Sequence, residues 1–173
     1  MNKKDSAALS TASVALRVLI FANWAYAAGL LTMLVFSFVN PSLMLRAIDL
    51  GSLLENPGMV VGVRTIICLG VLSVPLQLAM LRRLASMVDT VRVDPFVPAN
   101  ANRSQAIAWI LLALQVISLA VAAAASAVST AAHPLHLDAG FSPAGWLAVV
   151  MAFVFAHVFA AGSAMRDDLE GTV

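Results

Sequence analysis

The stretch AIAWILLALQVISLAVAAAASA, from Ala106 to Ala127, carries no charged residue and decides the fold class. A helix needs about 20 mostly apolar residues, at about 1.5 Å each, to cross the hydrocarbon core of a bilayer. Three further stretches have similar length and composition: Val18 to Val39, Gly58 to Leu81 and Ala144 to Ser163. The sequence therefore predicts an all-α protein, a four-helix transmembrane bundle that forms one integral membrane domain over residues 1–173.

The composition of the whole chain agrees with four spans. Of its 173 residues 61% are apolar and 11% charged, and the mean hydropathy is +0.94. A soluble chain of this length could not enclose so large an apolar fraction in its interior. Cys68 is the single cysteine, which excludes an intramolecular disulfide and a cysteine metal site, and no cofactor is predicted.

The distribution of the Lys and Arg residues predicts the orientation. With the N-terminus in the cytoplasm, only Arg46 and Arg64 lie on or near the outer side. The inner side then holds the other eight basic residues, namely Lys3, Lys4, Arg17, Arg82, Arg83, Arg92, Arg103 and Arg166. This asymmetry follows the positive-inside rule, so we expect both termini and the loop 82–105 to be cytoplasmic.

The segment between the first two spans, Ser42 to Asn56, shows the pattern of a short helix lying on the outer surface. Arg46, Asp49 and Ser52 recur at helical spacing, and apolar residues occupy the other side, namely Met44, Ala47, Ile48 and Leu54. Two interpretations remain open: a partly buried cap over the bundle, and a surface that senses a ligand.

The cytoplasmic connection between spans two and three carries its own helical pattern. Apolar residues recur at Leu84, Met87, Val88 and Val91, so span two should continue as a helix until Asp94-Pro95 ends it. Pro98 suits the first turn of the helix that becomes span three.

Two cytoplasmic segments form a candidate docking surface for a soluble partner. We expect the turn at Asp94, Pro95 and Phe96 to lie beside the acidic tail that contains Asp168, Leu169 and Glu170, with Arg92 or Arg103 pairing some of the tail carboxylates. The alternative is that Phe96 enters the membrane interface or packs beneath the bundle.

Polar residues within the spans form a second candidate site. Asn23, Gln77 and His157 lie roughly one to two turns from the cytoplasmic ends of their spans, and Gln115 lies somewhat deeper. Because hydrocarbon cannot satisfy such groups, we expect them to face the bundle interior. They serve either as hydrogen bonds between helices or as the lining of a ligand or proton-responsive site at His157.

Two other features of the spans have structural interpretations. Arg64 can reach outward to Glu55, Asp49 or Asp138, as a tie rather than a transport residue. Span four carries an alanine every four residues, a stripe that lets a neighbouring backbone approach closely, at Ala148, Ala152, Ala156, Ala160 and Ala164.

Enzyme signatures are weak. His133, His136 and Asp138 have ligand-like spacing in the outer loop, but Pro134 and the short loop favour an exposed turn, and no metal is predicted. The sequence contains no nucleophile elbow, phosphate loop or zincin motif, so we expect no catalysis.

Two stretches carry a family resemblance. The run DPFVPANANR, from Asp94 to Arg103, followed by Ile107-Ala108-Trp109, resembles the central motif of the DUF2975 family of bacterial four-span membrane proteins of undefined function. The last helix and tail, with Phe155-Ala156-His157 and the ending DDLEGTV, are similar to the same family. The resemblance implies a bacterial inner membrane protein. It also implies a partner, since family members are often encoded beside a small helix-turn-helix regulator.

Two function classes follow from these observations. The first is a non-enzymatic regulator or adaptor that docks a soluble partner through the loop and tail, and that itself binds no nucleic acid. The second is a small oligomeric transporter or channel, against which stands the absence of any acidic residue within the four predicted spans. In either class the lipid bilayer surrounds the protein, and a homo-oligomer is an open alternative to a monomer.

Overall fold

A computed structural model describes residues 3–47, 57–91, 97–129 and 138–170 of the chain. Of these residues 94% are helical, and the described ranges contain no strand. The helices are α1 (Lys3–Val39), α2 (Pro41–Ala47), α3 (Pro57–Val91), α4 (Pro98–Val128) and α5 (Pro143–Glu170). The predicted all-α helical bundle is confirmed.

Proline sets the start of every helix except α1. Pro41, Pro57, Pro98 and Pro143 are the first residues of their helices. A proline suits this position because the first amide of a helix has no intrahelical acceptor, and the ring already fixes φ near its helical value. Asn40 is the N-cap of α2. Its side-chain oxygen accepts hydrogen bonds from the Leu43 amide (3.2 Å) and the Ser42 hydroxyl (2.6 Å).

The predicted continuation of the second span as a helix past Arg82 and Arg83 is confirmed. The helix α3 runs without a break through Arg82 and Arg83 to Val91, and α4 begins at Pro98 as expected. Most of the predicted loop 82–105 is therefore helical. One element was not predicted: α1 begins at Lys3, well before the expected span from Val18, because residues 3–17 contain no helix breaker.

The outer helix between the first two spans is shorter in the described residues than the predicted segment. The helix α2 covers Pro41–Ala47, whereas Asp49 and Ser52 lie outside the described part of the chain. Met44 is 3% exposed and belongs to a buried cluster with Met59, Val63 and Ile67. This burial fits the interpretation of α2 as a cap.

The chain divides into two compact units. One comprises Met1–Asn23, Leu76–Ala113 and Pro143–Val173, and we call it the four-helix unit because α1, α3, α4 and α5 all contribute. The other comprises Trp24–Pro75 and Leu114–Ser142, and we call it the three-helix unit after its long helices α1, α3 and α4. The cluster around Met44 is the apolar core of the three-helix unit.

Close helix contact in the three-helix unit depends on a glycine. A side chain at Gly62 on α3 would overlap the Val128 side chain on α4, so only glycine allows this approach. A second glycine, Gly140, has φ of 121°, a value that other residues rarely adopt. Its amide donates to the Ser118 hydroxyl at 3.0 Å, which ties the segment before α5 to α4.

The long helices bury little of their surface against one another. In the most apolar windows of α1, α4 and α5 only 11% of the residues are buried, and in α3 only 22%. All four helices are long and apolar enough to cross a bilayer. Such a large exposed apolar surface requires an apolar environment, because its contact with water would be energetically unfavourable. The chain is therefore an integral, multi-pass membrane protein.

The alanine stripe of α5 packs only in its middle. Ala156 is buried and Ala152 partly buried, whereas Ala148, Ala160 and Ala164 are exposed. The packed positions instead alternate by three and four residues, at Gly145, Val149, Ala152, Ala156, Phe159, Ser163 and Arg166. A strict four-residue stripe drifts around a helix of 3.6 residues per turn, whereas a seven-residue repeat keeps nearly the same face. Within the described residues the alanine stripe therefore does not form one continuous contact with another helix, and a contact of its exposed part with a second subunit stays a prediction.

Candidate functional site

The end of α3 and the start of α4 are joined by a polar network within the four-helix unit. The Asn100 side-chain oxygen accepts hydrogen bonds from the Thr90 hydroxyl at 2.8 Å and from the Arg103 guanidinium at 2.9 Å. The same guanidinium nitrogen lies 3.3 Å from the Thr90 hydroxyl. The side chain of Ser104 adds a weaker contact with the Met87 sulfur at 3.8 Å. We call Thr90, Asn100 and Arg103 the hairpin network.

The burial of Asn100 favours one arrangement of the two helix ends that the hairpin network joins. Asn100 is 0% exposed, so losing its partners would leave a polar oxygen with no access to water. Such a loss typically costs about 1 to 3 kcal/mol, more than a single net hydrogen bond contributes. The arginine adds charge-assisted bonds, which are stronger than neutral ones. The two helix ends are therefore held in one fixed relation on either side of residues 92–96.

The predicted docking surface is only partly covered by the described residues. Asp94, Pro95 and Phe96 lie outside them. Asp168, Leu169 and Glu170 continue the helix α5, and their side chains lie outside the described part of the structure. Arg103, expected as a partner of the tail, contacts Thr90 and Asn100. Its predicted pairing with the tail carboxylates concerns side chains outside the described residues and stays a prediction.

An open groove lies between the start of α4 and the second half of α5, within the four-helix unit. Its volume is about 290 Å³. Polar side chains line it from both helices, Asn102 and Gln105 from α4 and His157 from α5. The remaining lining residues are Ala101, Phe153, Ala156 and Ala160. We call this the α4–α5 groove.

The environment of His157 therefore differs from the predicted one. It was expected to face the bundle interior, but it is exposed at the edge of the α4–α5 groove. The seven-residue repeat of α5 explains the difference, because the repeat buries Ala156 and turns the next residue outward. A ligand-binding or proton-responsive site at His157 stays a prediction.

The other three residues of the predicted polar layer are buried to different degrees. Asn23 is buried, at 6% exposure, and Gln77 and Gln115 are partly buried. Asn23 and Gln77 belong to the four-helix unit, and Gln115 to the three-helix unit. The Gln115 side-chain oxygen is buried and accepts no hydrogen bond from the described residues. Asn23, Gln77 and Gln115 thus turn toward protein, as expected.

Arg64 contacts the end of α1, which the sequence analysis did not predict. Its Nε donates to the Ser37 hydroxyl at 2.6 Å, and an Nη nitrogen donates to the Ser37 carbonyl oxygen. The guanidinium also stacks on the Phe38 ring, with its carbon 4.5 Å from the ring centroid. Asp49 and Glu55 lie outside the described residues, and the described contacts of Arg64 do not include Asp138.

The chemistry of Pro41 explains why Arg64 binds the end of α1. In a continuing helix the Ser37 carbonyl would accept from the amide of the fourth residue onward, which is Pro41. Proline has no amide hydrogen, so the Ser37 carbonyl lacks this donor. Arg64 supplies one, and its positive charge also suits the partial negative charge at the C-terminus of α1.

The search for metal-binding groups and the comparisons with known proteins both gave negative results. The described residues contain no group of three His, Cys, Asp or Glu side chains placed to hold a metal ion, and His133 and His136 lie outside them. Compared with protein-family models, with curated proteins and with solved structures, the chain gives no match.

Sequence reasoning missed both the hairpin network and the polar side of the groove. Asn100 and Arg103 stand three residues apart on one helix, a spacing that could have indicated a contact. Thr90 could not have been found in this way, because its contact depends on how the two helices meet. Asn102, Gln105 and Trp109 recur at three and four residues and so share one face of α4, a pattern visible in the sequence.

Proposed function

We propose that this membrane protein is a non-enzymatic regulator or adaptor that docks a soluble partner at its cytoplasmic side. The observation that supports this proposal most directly is the hairpin network of Thr90, Asn100 and Arg103. It fixes the two helix ends that flank Asp94, Pro95 and Phe96.

A fixed support matters for docking because binding costs the conformational entropy of the groups that become ordered. A segment held between two rigid helix ends loses less freedom on binding than a free loop. The end of α3 at Val91, which precedes this segment in the chain, lies about 14 Å along the helix from Arg82, at 1.5 Å per residue. That distance brings it into reach of a soluble protein.

The chemistry of the surface suits a partner with both an apolar pocket and basic groups. Phe96 offers a large apolar anchor, the residue type that carries most binding energy at protein interfaces. The tail at Asp168 and Glu170 offers carboxylates that complement basic side chains. A small helix-turn-helix regulator, the partner implied by the resemblance to the DUF2975 family, has basic surfaces of this kind. Membership of that family and a bacterial inner membrane location stay predictions.

Purification from native membranes in mild detergent tests this function. We expect the parent to retain a soluble protein that mass spectrometry identifies as a DNA-binding regulator. Phe96→Ala should lower its yield strongly, and so should deletion of residues 169–173. Asn100→Ala should also lower the yield, because it loosens the hairpin network that supports Phe96.

Asn102→Ala is the matched control, since Asn102 is on the same helix but exposed and outside the network. It should leave the yield unchanged, and every variant should remain in the membrane fraction. If the parent retains no soluble protein, or if Phe96→Ala, Asn100→Ala and the deletion retain it fully, the adaptor function is wrong. A small transporter or channel would then be the better interpretation.

A further inference from the structure

The α4–α5 groove combines polar and apolar surfaces in a definite order. On α4 the exposed side chains Asn102 and Gln105 are followed, four residues further, by Trp109, which is 58% exposed. On α5 the exposed His157 is preceded on the same face by Val154 and Val150, which are 50% and 56% exposed. Both helices thus change from hydrogen-bonding groups to apolar groups over about 10 Å, at 1.5 Å per residue.

The groove also lies where polar and apolar surroundings meet. Its α4 side, Ala101 to Gln105, precedes the apolar stretch that starts at Ala106, whereas its α5 side, Phe153 to Ala160, lies within the apolar stretch of span four. Trp109 packs edge-to-face on Phe153, with ring centroids 5.3 Å apart. An exposed tryptophan beside polar residues is typical of a membrane interface.

The polar groups of the groove are available to a ligand. The side chains of Asn102, Gln105 and His157 make no hydrogen bond with the described residues, although all three can donate one. Among the described residues, every side chain that lines the groove is an alanine, a phenylalanine, an amide or a histidine, so none of these lining side chains carries a negative charge that would repel an anion. The small alanines at 101, 156 and 160 leave the space that a ligand would fill.

We propose that the α4–α5 groove binds the headgroup of a phospholipid of the cytoplasmic leaflet. The phosphate accepts hydrogen bonds from Gln105 and His157, and the acyl chains lie along Val154 and Val150 toward the middle of the membrane. Phosphatidylglycerol suits the groove better than phosphatidylcholine. Its glycerol hydroxyls can both donate to and accept from the amides of Asn102 and Gln105, whereas a trimethylammonium group can do neither. This site is independent of partner docking.

Tryptophan fluorescence measures lipid occupancy at this place, because Trp109 contacts Phe153 in the groove wall. Trp24→Phe and Trp146→Phe leave Trp109 as the only tryptophan. The protein is placed in phosphatidylcholine vesicles that contain increasing fractions of phosphatidylglycerol with brominated acyl chains, which quench tryptophan on contact. The same series with brominated phosphatidylcholine gives the reference, and the two series together give a relative binding constant.

We expect a preference of about three- to tenfold for phosphatidylglycerol, the effect of roughly one net hydrogen bond. Gln105→Ala and His157→Ala should each reduce the relative binding constant of phosphatidylglycerol over phosphatidylcholine toward one. Val158→Ala is the control, because Val158 is exposed on α5 but neither lines the groove nor belongs to the two valines along which the acyl chains lie. It should leave the constant unchanged.

Equal binding of the two lipids by the protein with Trp109 as its only tryptophan would overturn the proposal. So would a loss of lipid preference in Val158→Ala as large as that in Gln105→Ala and His157→Ala. Reversal of the quenching by millimolar glycerol 3-phosphate would also overturn it, since the groove would then bind a soluble phosphate. If the two tryptophan replacements prevent folding, native mass spectrometry of the unaltered parent decides. The parent should retain phosphatidylglycerol in preference to phosphatidylcholine, Gln105→Ala should lose that preference, and equal retention by the parent would contradict the site.

Discussion

Ser37 shows how a single missing amide hydrogen determines a long-range contact. Pro41 starts α2 and removes the donor that the Ser37 carbonyl would otherwise have. Arg64, from the next long helix, replaces that donor and is held further by the Ser37 hydroxyl and the Phe38 ring. These contacts give the arginine within a predicted span a structural explanation.

A double-mutant cycle tests this explanation. Arg64→Gln should lower the free energy of unfolding in detergent by about 1 to 3 kcal/mol, because the Ser37 carbonyl loses its donor. Pro41→Ala restores an amide hydrogen at that position, so it should stabilise the Arg64→Gln protein while having a smaller or opposite effect in the parent. An identical effect of Pro41→Ala in both backgrounds would show that Arg64 and Pro41 are not coupled through Ser37.

Helix α5 shows how packing selects among residues that look equivalent in the sequence. Five alanines recur every four residues, yet only Ala152 and Ala156 pack against protein. The seven-residue repeat of the packed positions is the geometry of helices that cross at a small angle. The same repeat exposes His157 and opens the α4–α5 groove beside it.

Two substitutions on α5 test this assignment. Ala156→Leu should overpack the contact and lower stability by about 1 to 3 kcal/mol. Ala148→Leu makes the same change at an exposed position of the stripe about two turns away, outside the α4–α5 groove, and it should alter stability by less than about 0.5 kcal/mol. The two variants are compared by their midpoints of thermal unfolding in detergent. Equal shifts of the midpoint would show that Ala156 is not a packed position of α5.

Much of the helical layout could be predicted from the sequence, because length, hydropathy and proline positions act locally. The start of α4 at Pro98 and the extension of α3 through Arg82 are examples. Contacts between helices could not be predicted, since they depend on rotation about each helix axis. For this reason the exposure of His157, the contact of Arg64 with Ser37 and the contact of Arg103 with Asn100 were not predicted. Asp94, Pro95 and Phe96 lie outside the described residues, and their docking role stays a prediction.

At the scale of the whole molecule, four helices with mostly exposed apolar surfaces require a bilayer around them. An even number of crossings returns the C-terminus to the side of the N-terminus. The positive-inside rule predicts that this side is the cytoplasm, because Arg17, Arg82, Arg83 and the other basic residues of the inner side would lie there. The partner-docking proposal and the placement of the lipid groove in the cytoplasmic leaflet both depend on this orientation.

Cysteine accessibility in intact cells tests that topology most directly. Cys68→Ser first removes the single native cysteine, and new cysteines are then introduced one at a time at Asp89, His136 and Thr172. A membrane-impermeant maleimide should label only the cysteine at position 136 in intact cells, and all three after the membrane is opened. Labelling of the cysteine at position 172 in intact cells would contradict the account of four spans with both termini in the cytoplasm.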